Sequence, residues 1–118
     1  MTQLDFYNGK KIFITGHTGF KGSWLTRILL AVGSSITGYA LSPASTSLFA
    51  LTHTEKDIHS IIGDVRDTNN LISAVEKARP DIVFHLAAQP LVRLSYKDPV
   101  ETYSTNVMGT VNILEAIR

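Results

Sequence analysis

The sequence has no cysteine, and its charges are few and nearly balanced. Without cysteine, disulfide frameworks and thiolate zinc sites are excluded. Only 18% of the residues are charged and the net charge is +1, so no strongly basic or acidic surface for nucleic acid or membranes is expected. No apolar run approaches the roughly 20 residues of a membrane span, and residues 1–11 lack the apolar core of a signal peptide. These absences predict a cytoplasmic protein with neither nucleic acid nor membrane as a partner.

The histidines do not form a metal-binding pattern. His53, Asp57 and His59 lie close in sequence, but no H-E-x-x-H spacing occurs, so no metal site is predicted. His85 lies in an apolar segment and is predicted to be a hydrogen-bonded core histidine.

What the sequence does contain is an alternation of apolar strands and amphipathic helices over 118 residues, 44% of them hydrophobic. This pattern is typical of an α/β fold with a doubly wound parallel sheet, in which the strand order is 3-2-1-4. The rest of the chain is predicted as loop, with one helical turn near Leu48. The predicted strands are Lys11–Thr15, Ser35–Ala40, His59–Ile62 and 81–87, and the predicted helices are 23–32, 69–78 and a last one that begins after Asp98.

Two helices have informative patterns. The first ends at Gly33 and the last begins with Asp98 as cap, Pro99 at the first position and Glu101 at the third. Helical spacing gives the first an apolar face of Trp24, Leu25, Ile28, Leu29 and Val32. It gives the last a longer stripe of Val100, Tyr103, Val107, Val111, Leu114 and Ile117.

Gly16, Gly19 and Gly22 lie between the first strand and the first helix. Glycines at a strand-to-helix turn let a diphosphate approach the backbone, and the helix N-terminus supplies N–H donors and partial positive charge. This G-x-x-G-x-x-G pattern therefore predicts a dinucleotide site, with Thr18 and Phe20 beside the pyrophosphate. The alternative is a tight turn with a glycine for helix packing, a role that suits Gly22 under either hypothesis. No G-K-[ST] follows, so a P-loop is excluded.

Four blocks of sequence resemble the extended short-chain dehydrogenase/reductase group and, within it, the CDP-D-glucose 4,6-dehydratases. The resemblance covers residues 9–118. The glycine pattern and the Asp64 block are typical of the whole group, whereas His17 with Lys21 and the run 89–93 point to the subfamily. The blocks are TGHTGFKGSW (15–24), GDVRD (63–67), FHLAAQPLVRLSY (84–96) and YSTNVMGT (103–110).

The resemblance also implies roles for residues outside the glycine pattern. Asp64 accepts a hydrogen bond from the adenine amino group and Val65 packs on the ring; the alternative for Asp64 is a cap on the following turn. Gln89 and Arg93 reach towards the sugar nucleotide, although Arg93 is equally compatible with a solvated loop. The remaining implied cofactor contacts, with small-residue packing or helix-surface polarity as their alternative, are Leu86, Ala87, Ala88, Gln89 and Thr105, with Asn106 supporting the loop–helix junction.

The end of the second strand bears on the choice of cofactor. An acid often holds the ribose hydroxyls there in NAD-binding folds, and a base holds the 2′-phosphate of NADP. Here the positions are Ala40, Leu41 and Ser42, with only Ser42 able to form a side-chain hydrogen bond. The missing base weighs more, because a phosphate dianion needs charge-assisted partners, so NAD is predicted, as the resemblance also implies.

No catalytic residue is predicted in the chain. The group's reaction needs a Tyr-x-x-x-Lys pair on one helix, where lysine lowers the tyrosine pKa for proton transfer. Tyr7 and Lys11 have this spacing, but Asn8-Gly9 between them is a turn signal. We therefore expect residues 1–118 to be the N-terminal part of an NAD-binding domain, inactive alone, with the catalytic block and substrate domain elsewhere.

The resemblance implies that the complete protein is a homo-oligomeric lyase that uses bound NAD to convert CDP-glucose to CDP-4-keto-6-deoxyglucose, and that it pairs as a dimer through its last helix, whose long apolar stripe agrees with this. The alternatives are a dTDP- or GDP-sugar dehydratase, a 4-epimerase of the same group, or a non-catalytic NAD-binding module.

Overall fold

A computed structural model of the chain describes residues 2–118. Four parallel strands form one sheet in the order β3-β2-β1-β4, which confirms the predicted topology. The strands are β1 (Lys11–Thr15), β2 (Ser35–Ala40), β3 (His59–Ile62) and β4 (Ile82–His85).

Helices cover both faces of the sheet. A π-helical segment, Ser104–Met108, joins the last two helices into one continuous rod, and two short 3₁₀ turns occupy Gln3–Tyr7 and Thr54–Lys56. The helices are α1 (Phe20–Ala31), α2 (Leu48–Leu51), α3 (Thr68–Ala78), α4 (Val92–Lys97), α5 (Pro99–Tyr103) and α6 (Gly109–Ile117).

The core has two parts because successive strand residues point to opposite faces of the sheet. Phe13 and Tyr39 point to the face covered by α3 and α6, where they pack with residues that include Leu71 and Ile113. Ile12, Ile14 and Ile36 point to the other face and pack against Leu29 of α1. Both sides of β1 are therefore buried, which places the loop after β1 in the middle of the molecule.

The predicted apolar face of α1 is wrong in two respects. Trp24 and Ile28 are exposed, at 52% and 44%, and the buried face instead carries Gly22, Ser23, Thr26 and Leu29. The reason is close packing at the start of the helix, where only small side chains fit. The two buried hydroxyls donate to carbonyl groups four residues earlier, those of Gly19 and Gly22.

Strand β4 is shorter and less buried than the predicted strand 81–87. Its four residues are only partly buried, because it is the outer strand of the described sheet. After His85 the backbone leaves the ladder, since the N–H of Ala87 turns to the Thr15 hydroxyl instead of a strand partner.

The helix ends were predicted better than the segment between β4 and α5. Asp67 and Asp98 cap α3 and α5 through their side chains, at 3.2 Å from Asn70 N and 2.9 Å from Glu101 N. Helix α4 and the π-helical segment were not predicted: α4 is six residues long and has no side-chain cap. The six residues of the predicted stripe on the last helix are all exposed, between 48% and 75%.

Candidate functional site

The candidate site lies along the carboxyl edge of the sheet. Because all four strands are parallel, their carboxyl ends, at Thr15, Ala40, Ile62 and His85, open onto the same edge. The glycine loop follows β1, whose neighbours β2 and β4 lie on either side, and chain order reverses between β1 and β4. In open α/β sheets such a reversal point is where ligands bind.

Two glycines of the loop are required by the protein itself. Gly16 has φ +81°, and a Cβ there would lie 2.8 Å from the backbone of Leu86 and Ala87. A Cβ on Gly22 would lie 2.1 Å from the Gly16 carbonyl oxygen. Gly16 thus lets the loop after β4 approach, and Gly22 seats α1 on the loop, which is the packing role foreseen for it.

Gly19 differs from every other glycine of the chain. Its φ of −75° suits any residue, and the nearest heavy atom to an added Cβ is the Gly16 carbonyl oxygen at 3.4 Å. Each of the other seven glycines has a positive φ or a position where a Cβ would come within 2.8 Å of another atom. The fold therefore does not explain glycine at position 19, and the space beside it is open.

The first turn of α1 presents unpaired donors to this space. Gly19 is the N-cap and has no side chain to cap the helix. Within residues 2–118, the N–H groups of Phe20 and Lys21 have no hydrogen-bond acceptor. Helix N-termini of this kind bind anions. The Phe20 ring is 70% exposed and the Thr18 hydroxyl is already engaged, donating to Leu41 O at 3.0 Å.

The buried side chain of His17 connects the glycine loop to the sheet. Its ring is fully buried, meets Phe49 edge-on at 5.2 Å, and has Nε2 2.8 Å from the Ser60 hydroxyl. Gly38 makes room for it, since a Cβ there would lie 2.3 Å from the ring. Burial lowers the pKa of His17 to about 4, against a smaller opposing effect of the Tyr39 backbone. The residue is therefore neutral near pH 7 and joins the loop to β2 and β3.

Asp64 is at the carboxyl end of β3, as predicted, but its carboxylate is already paired. The Arg66 guanidinium donates to both oxygens through Nε, at 3.0 and 3.1 Å, and through one terminal nitrogen at 2.7 Å. The Arg66 N–H adds a bond of 2.9 Å. These bonds to Arg66 lower the pKa of Asp64, so the carboxylate is ionised near neutral pH.

The structure places Val65 in the core rather than in the cleft. Its side chain is 4% exposed and packs with Phe13, Tyr39 and Ile113, and its carbonyl accepts from Asn112 at 2.8 Å. Little of this side chain is exposed, and its contact with an adenine ring stays a prediction. Leu71 and Val75 of α3 complete its surroundings.

Tyr39 and Asn70 fix the Asp64 backbone, and sequence analysis missed both. The buried Tyr39 hydroxyl donates to Asp64 O at 2.9 Å and accepts from Asn70 Nδ2 at 3.1 Å. Gly63 leaves room for the Tyr39 ring. Burial raises the pKa of Tyr39, which keeps the hydroxyl protonated. No local sequence pattern indicates these contacts, because the bonded residues are 25 and 31 positions apart.

His85 is partly buried and hydrogen-bonded, as predicted. The Thr15 hydroxyl oxygen accepts from Leu86 N and Ala87 N, at 3.1 and 3.2 Å, and lies 2.6 Å from His85 Nδ1. With both lone pairs used, the hydroxyl donates its hydrogen to Nδ1, so neutral His85 carries its proton on Nε2, 3.4 Å from the Thr110 hydroxyl. Burial lowers the pKa of His85, which favours this neutral form.

The loop after β4 is held by two amide side chains. Asn106, in the π-helical segment, accepts from Gln89 N at 2.7 Å and donates to Gln89 O at 3.1 Å, so it does support the loop–helix junction. The Gln89 amide folds back onto Leu91 and the Thr102 hydroxyl. This geometry differs from the predicted reach of Gln89 into a sugar-nucleotide cleft, since its side-chain groups are occupied within the loop.

The remaining predicted residues lie around the same edge. Leu86, Ala87 and Ala88 follow β4 directly, and Thr105 is partly buried in the π-helical segment. Ser42 is exposed after β2, and Arg93 is exposed on α4 rather than in a loop. Their contacts with a cofactor or substrate stay predictions.

The Tyr7–Lys11 pair does not share a helix. Tyr7 ends a 3₁₀ turn and Lys11 begins β1, so the turn signal at Asn8-Gly9 was interpreted correctly. Residues 2–118 contain no group of three His, Asp or Glu side chains able to hold a metal ion. No helix in the same range is long and apolar enough to cross a bilayer.

Comparison with known proteins identifies the family. A family model described as GDP-mannose 4,6 dehydratase matches residues 13–118. The chain is 52% identical to CDP-glucose 4,6-dehydratase of Salmonella typhimurium, covering 100% of this chain and 33% of that protein. It spans about a third of the curated relatives it matches.

Solved structures agree with this relationship. An epimerase of Methanothermobacter thermautotrophicus superposes with a TM-score of 0.81 at 29% identity, covering 96% of this chain and 33% of that one. The UDP-glucose 4-epimerase of Brucella ovis, solved with NAD, gives 0.75 at 30% identity, over 92% and 31%. The chain therefore belongs to the GDP-mannose 4,6 dehydratase family, among the nucleotide-sugar dehydratases of the extended short-chain dehydrogenase/reductase group.

Proposed function

We propose that residues 1–118 are the cofactor-binding, N-terminal part of an NAD-dependent CDP-glucose 4,6-dehydratase. The Salmonella relative supplies the substrate hypothesis. Because the chain spans about a third of its relatives, we assign the Tyr-x-x-x-Lys block and the sugar-binding domain to the other two thirds. Within the complete protein, residues 1–118 bind and orient the cofactor and contribute no acid or base.

The single observation that carries the proposal is the open space at Gly19. A Cβ there meets only one atom, at 3.4 Å, so the protein's own packing gives no reason for glycine. A diphosphate against this backbone does give one, because it needs close approach to the amides. The residues present therefore fit a dinucleotide.

The pyrophosphate is assigned to the N–H groups of Phe20 and Lys21. Both point from the first turn of a twelve-residue helix and lack an acceptor among residues 2–118. The Thr18 hydroxyl is not assigned to it, since it donates to Leu41 O; Thr18 contributes through position and backbone.

The nucleoside ends of the cofactor are assigned to the two sides of the loop. On the β3 side, Asp64 offers an ionised carboxylate to an adenine amino group. On the β4 side, Leu86, Ala87 and Ala88 bring small side chains and backbone to the nicotinamide ribose. Exposed Ser42, with no arginine or lysine at positions 40–42, supports NAD over NADP, since a 2′-phosphate would lack a cationic partner there.

Bound NAD supplies reversible hydride transfer at the sugar. Around it, the Thr15 hydroxyl, neutral His85 and the Asn106 amide hold residues 86–89 in place through the bonds described above. Arg93, exposed on α4 after this loop, is the residue of this chain that we assign to the anionic part of the sugar nucleotide. The side-chain amide of Gln89 is assigned to the loop instead.

We also propose that the complete protein forms a dimer through α5 and α6. The rod carries six exposed apolar side chains at helical spacing, and the last two of them, Leu114 and Ile117, bring the stripe to the end of α6. A groove of about 400 Å³ between Pro99 and Met108 continues the same surface. A second copy of the rod offers a complementary apolar face.

The substrate is tested with the full-length gene product and a panel of four sugar nucleotides: CDP-glucose, dTDP-glucose, GDP-mannose and UDP-glucose. We expect a 4-keto-6-deoxy product, lighter by one water, from CDP-glucose at least about tenfold faster than from the others, which corresponds to about 1.4 kcal/mol of transition-state discrimination. A ketone formed faster from another nucleotide would reassign the substrate. Epimerisation without loss of water, or no turnover of any sugar by protein that binds NAD, would contradict dehydration.

A further inference from the structure

The carboxylate of Asp64 has one hydrogen-bond position left. A carboxylate accepts about four hydrogen bonds, and Arg66 supplies three hydrogens, from its backbone N–H, Nε and one terminal nitrogen. The Nε hydrogen lies between the two oxygens, at 3.0 and 3.1 Å. Oδ1 also accepts from the Arg66 backbone N–H and Oδ2 also accepts from the terminal nitrogen, so each oxygen carries one full bond and shares the Nε hydrogen, and one acceptor position of the carboxylate is left.

The orientation of this carboxylate is fixed from two directions. The Tyr39 hydroxyl donates a hydrogen bond to the backbone carbonyl of Asp64 and accepts one from the Asn70 side chain, which fixes the Asp64 backbone. The planar guanidinium of Arg66 sets the rotation of the carboxylate, because it donates to both oxygens, whereas a single hydrogen bond would leave the carboxylate free to rotate. The negative charges of Asp98 and Glu101, at the start of α5, also act on Arg66.

We propose that Arg66 is a positioning residue that aims the last acceptor position of Asp64 at the purine ring of a dinucleotide and so makes the site select a 6-amino purine. The inference rests on the proposed function, in which Asp64 faces the adenine. A 6-amino group donates to that remaining position, whereas a 6-oxo group places an acceptor against an ionised carboxylate. Arg66 excludes the competing arrangement in which the carboxylate rotates or takes up a proton to meet an oxo group.

The alternative is that the Asp64–Arg66 ion pair only stabilises the loop after β3. Asp64 and Arg66 side chains are 29% and 43% exposed, and ion pairs this exposed add little to stability. Loss of that stabilisation would change the thermal midpoint or weaken all dinucleotides alike. Loss of an aimed acceptor changes the ratio of affinities between two purines.

The test measures that ratio by calorimetry on the full-length gene product freed of cofactor. The two ligands are NAD and nicotinamide hypoxanthine dinucleotide, which differ only at the purine 6-position. The variants are Arg66→Ala and Arg66→Lys, which keeps the charge without the fork. The control is Arg118→Ala, which removes another exposed pair, Arg118–Glu115.

We expect the wild type and Arg118→Ala to prefer NAD at least about tenfold, and both Arg66 variants to lose at least about threefold of that preference. Their thermal midpoints should stay within about 2 °C of the wild type. An unchanged ratio in both Arg66 variants, or equal weakening of both ligands, would overturn the inference and leave the proposed function standing. A wild type that binds neither dinucleotide would overturn the proposed function itself.

Discussion

His17 connects the glycine loop to the sheet through one buried side chain. The ring fills the space left by Gly38, and its only side-chain partner among residues 2–118 is Ser60. Nδ1 has no hydrogen-bond partner in the same range. A proton on this ring would therefore place an unpaired charge in the interior, which is costly.

We predict that His17 makes the protein less stable in acid. Its pKa is about 4 in the folded chain, against an ordinary value of 6.5, so between these values the unfolded chain binds a proton that the folded chain does not. The contribution of neutral His17 to the free energy of unfolding is therefore fully present above pH 6.5 and is lost as the pH drops towards 4. The loss amounts to about 3 kcal/mol over this pH range. Urea unfolding at about pH 7 and about pH 4.5 measures this loss.

His17→Asn is the matched variant, because it keeps a polar side chain that does not titrate in this range. It should be less stable than the wild type at neutral pH and lose less on acidification. Burial also lowers the pKa of His85. Its contribution to the acid loss is the same in both proteins and cancels when they are compared. The same acid loss in both, or a His17 ring that titrates by NMR near its ordinary pKa of 6.5 in the folded wild type, would refute this prediction.

At the residue scale, sequence analysis located positions better than partners. Gly19, Asp64 and Asn106 lie where their motifs predicted, because backbone conformation and strand ends are local properties. The contacts of Asp64 with Arg66, of Gln89 with Thr102, and of Val65 with the core were not predicted. They depend on which elements pack beside these residues, and spacing along the chain carries no signal of that.

The elements of the fold followed from local patterns, but their buried faces did not. The cap at Asp98 and the stop at Gly33 were predicted because each is a short-range hydrogen-bonding or backbone requirement. The face of α1 was wrong because apolar content does not reveal that the helix must approach a loop closely through Gly22 and Ser23. The π-helical segment has no sequence signature of its own.

The exposed stripe on α5 and α6 gives a prediction at the scale of this rod. If it pairs two copies, a charge at its centre must be buried unpaired, which costs several kcal/mol. Val107→Glu together with Leu114→Glu should therefore weaken dimerisation at least about a hundredfold, as measured by analytical ultracentrifugation of the full-length protein. Leu51→Glu, on the exposed surface of α2, is the control and should leave the dimer intact. A monomeric wild type, or a dimer that survives both charges, would contradict the assigned interface.

At the scale of the whole molecule, the parallel sheet decides where the site lies. The alternation of strands and helices was enough to predict the order 3-2-1-4, because only a few topologies satisfy short connections and parallel pairing. That order brings the glycine loop, Asp64 and the loop after β4 to one edge, although Thr15 and His85, which meet there, are 70 residues apart. The central position of β1 makes the start of α1 the natural anchor for a long ligand.

The function proposed for this chain depends on the backbone at the start of α1 holding a diphosphate, and Gly19→Val is the sharpest test of it. The Cβ of the new side chain meets only the Gly16 carbonyl oxygen, at 3.4 Å, in this structure, so we expect the fold to be retained, with a thermal midpoint within about 2 °C of the wild type. The control is Ala31→Val, at the exposed far end of the same helix. By calorimetry on the full-length gene product, we expect Gly19→Val to raise the dissociation constant for NAD at least about tenfold, or about 1.4 kcal/mol, and Ala31→Val to leave it unchanged. A folded Gly19→Val protein that binds NAD as tightly as the wild type would contradict the proposal.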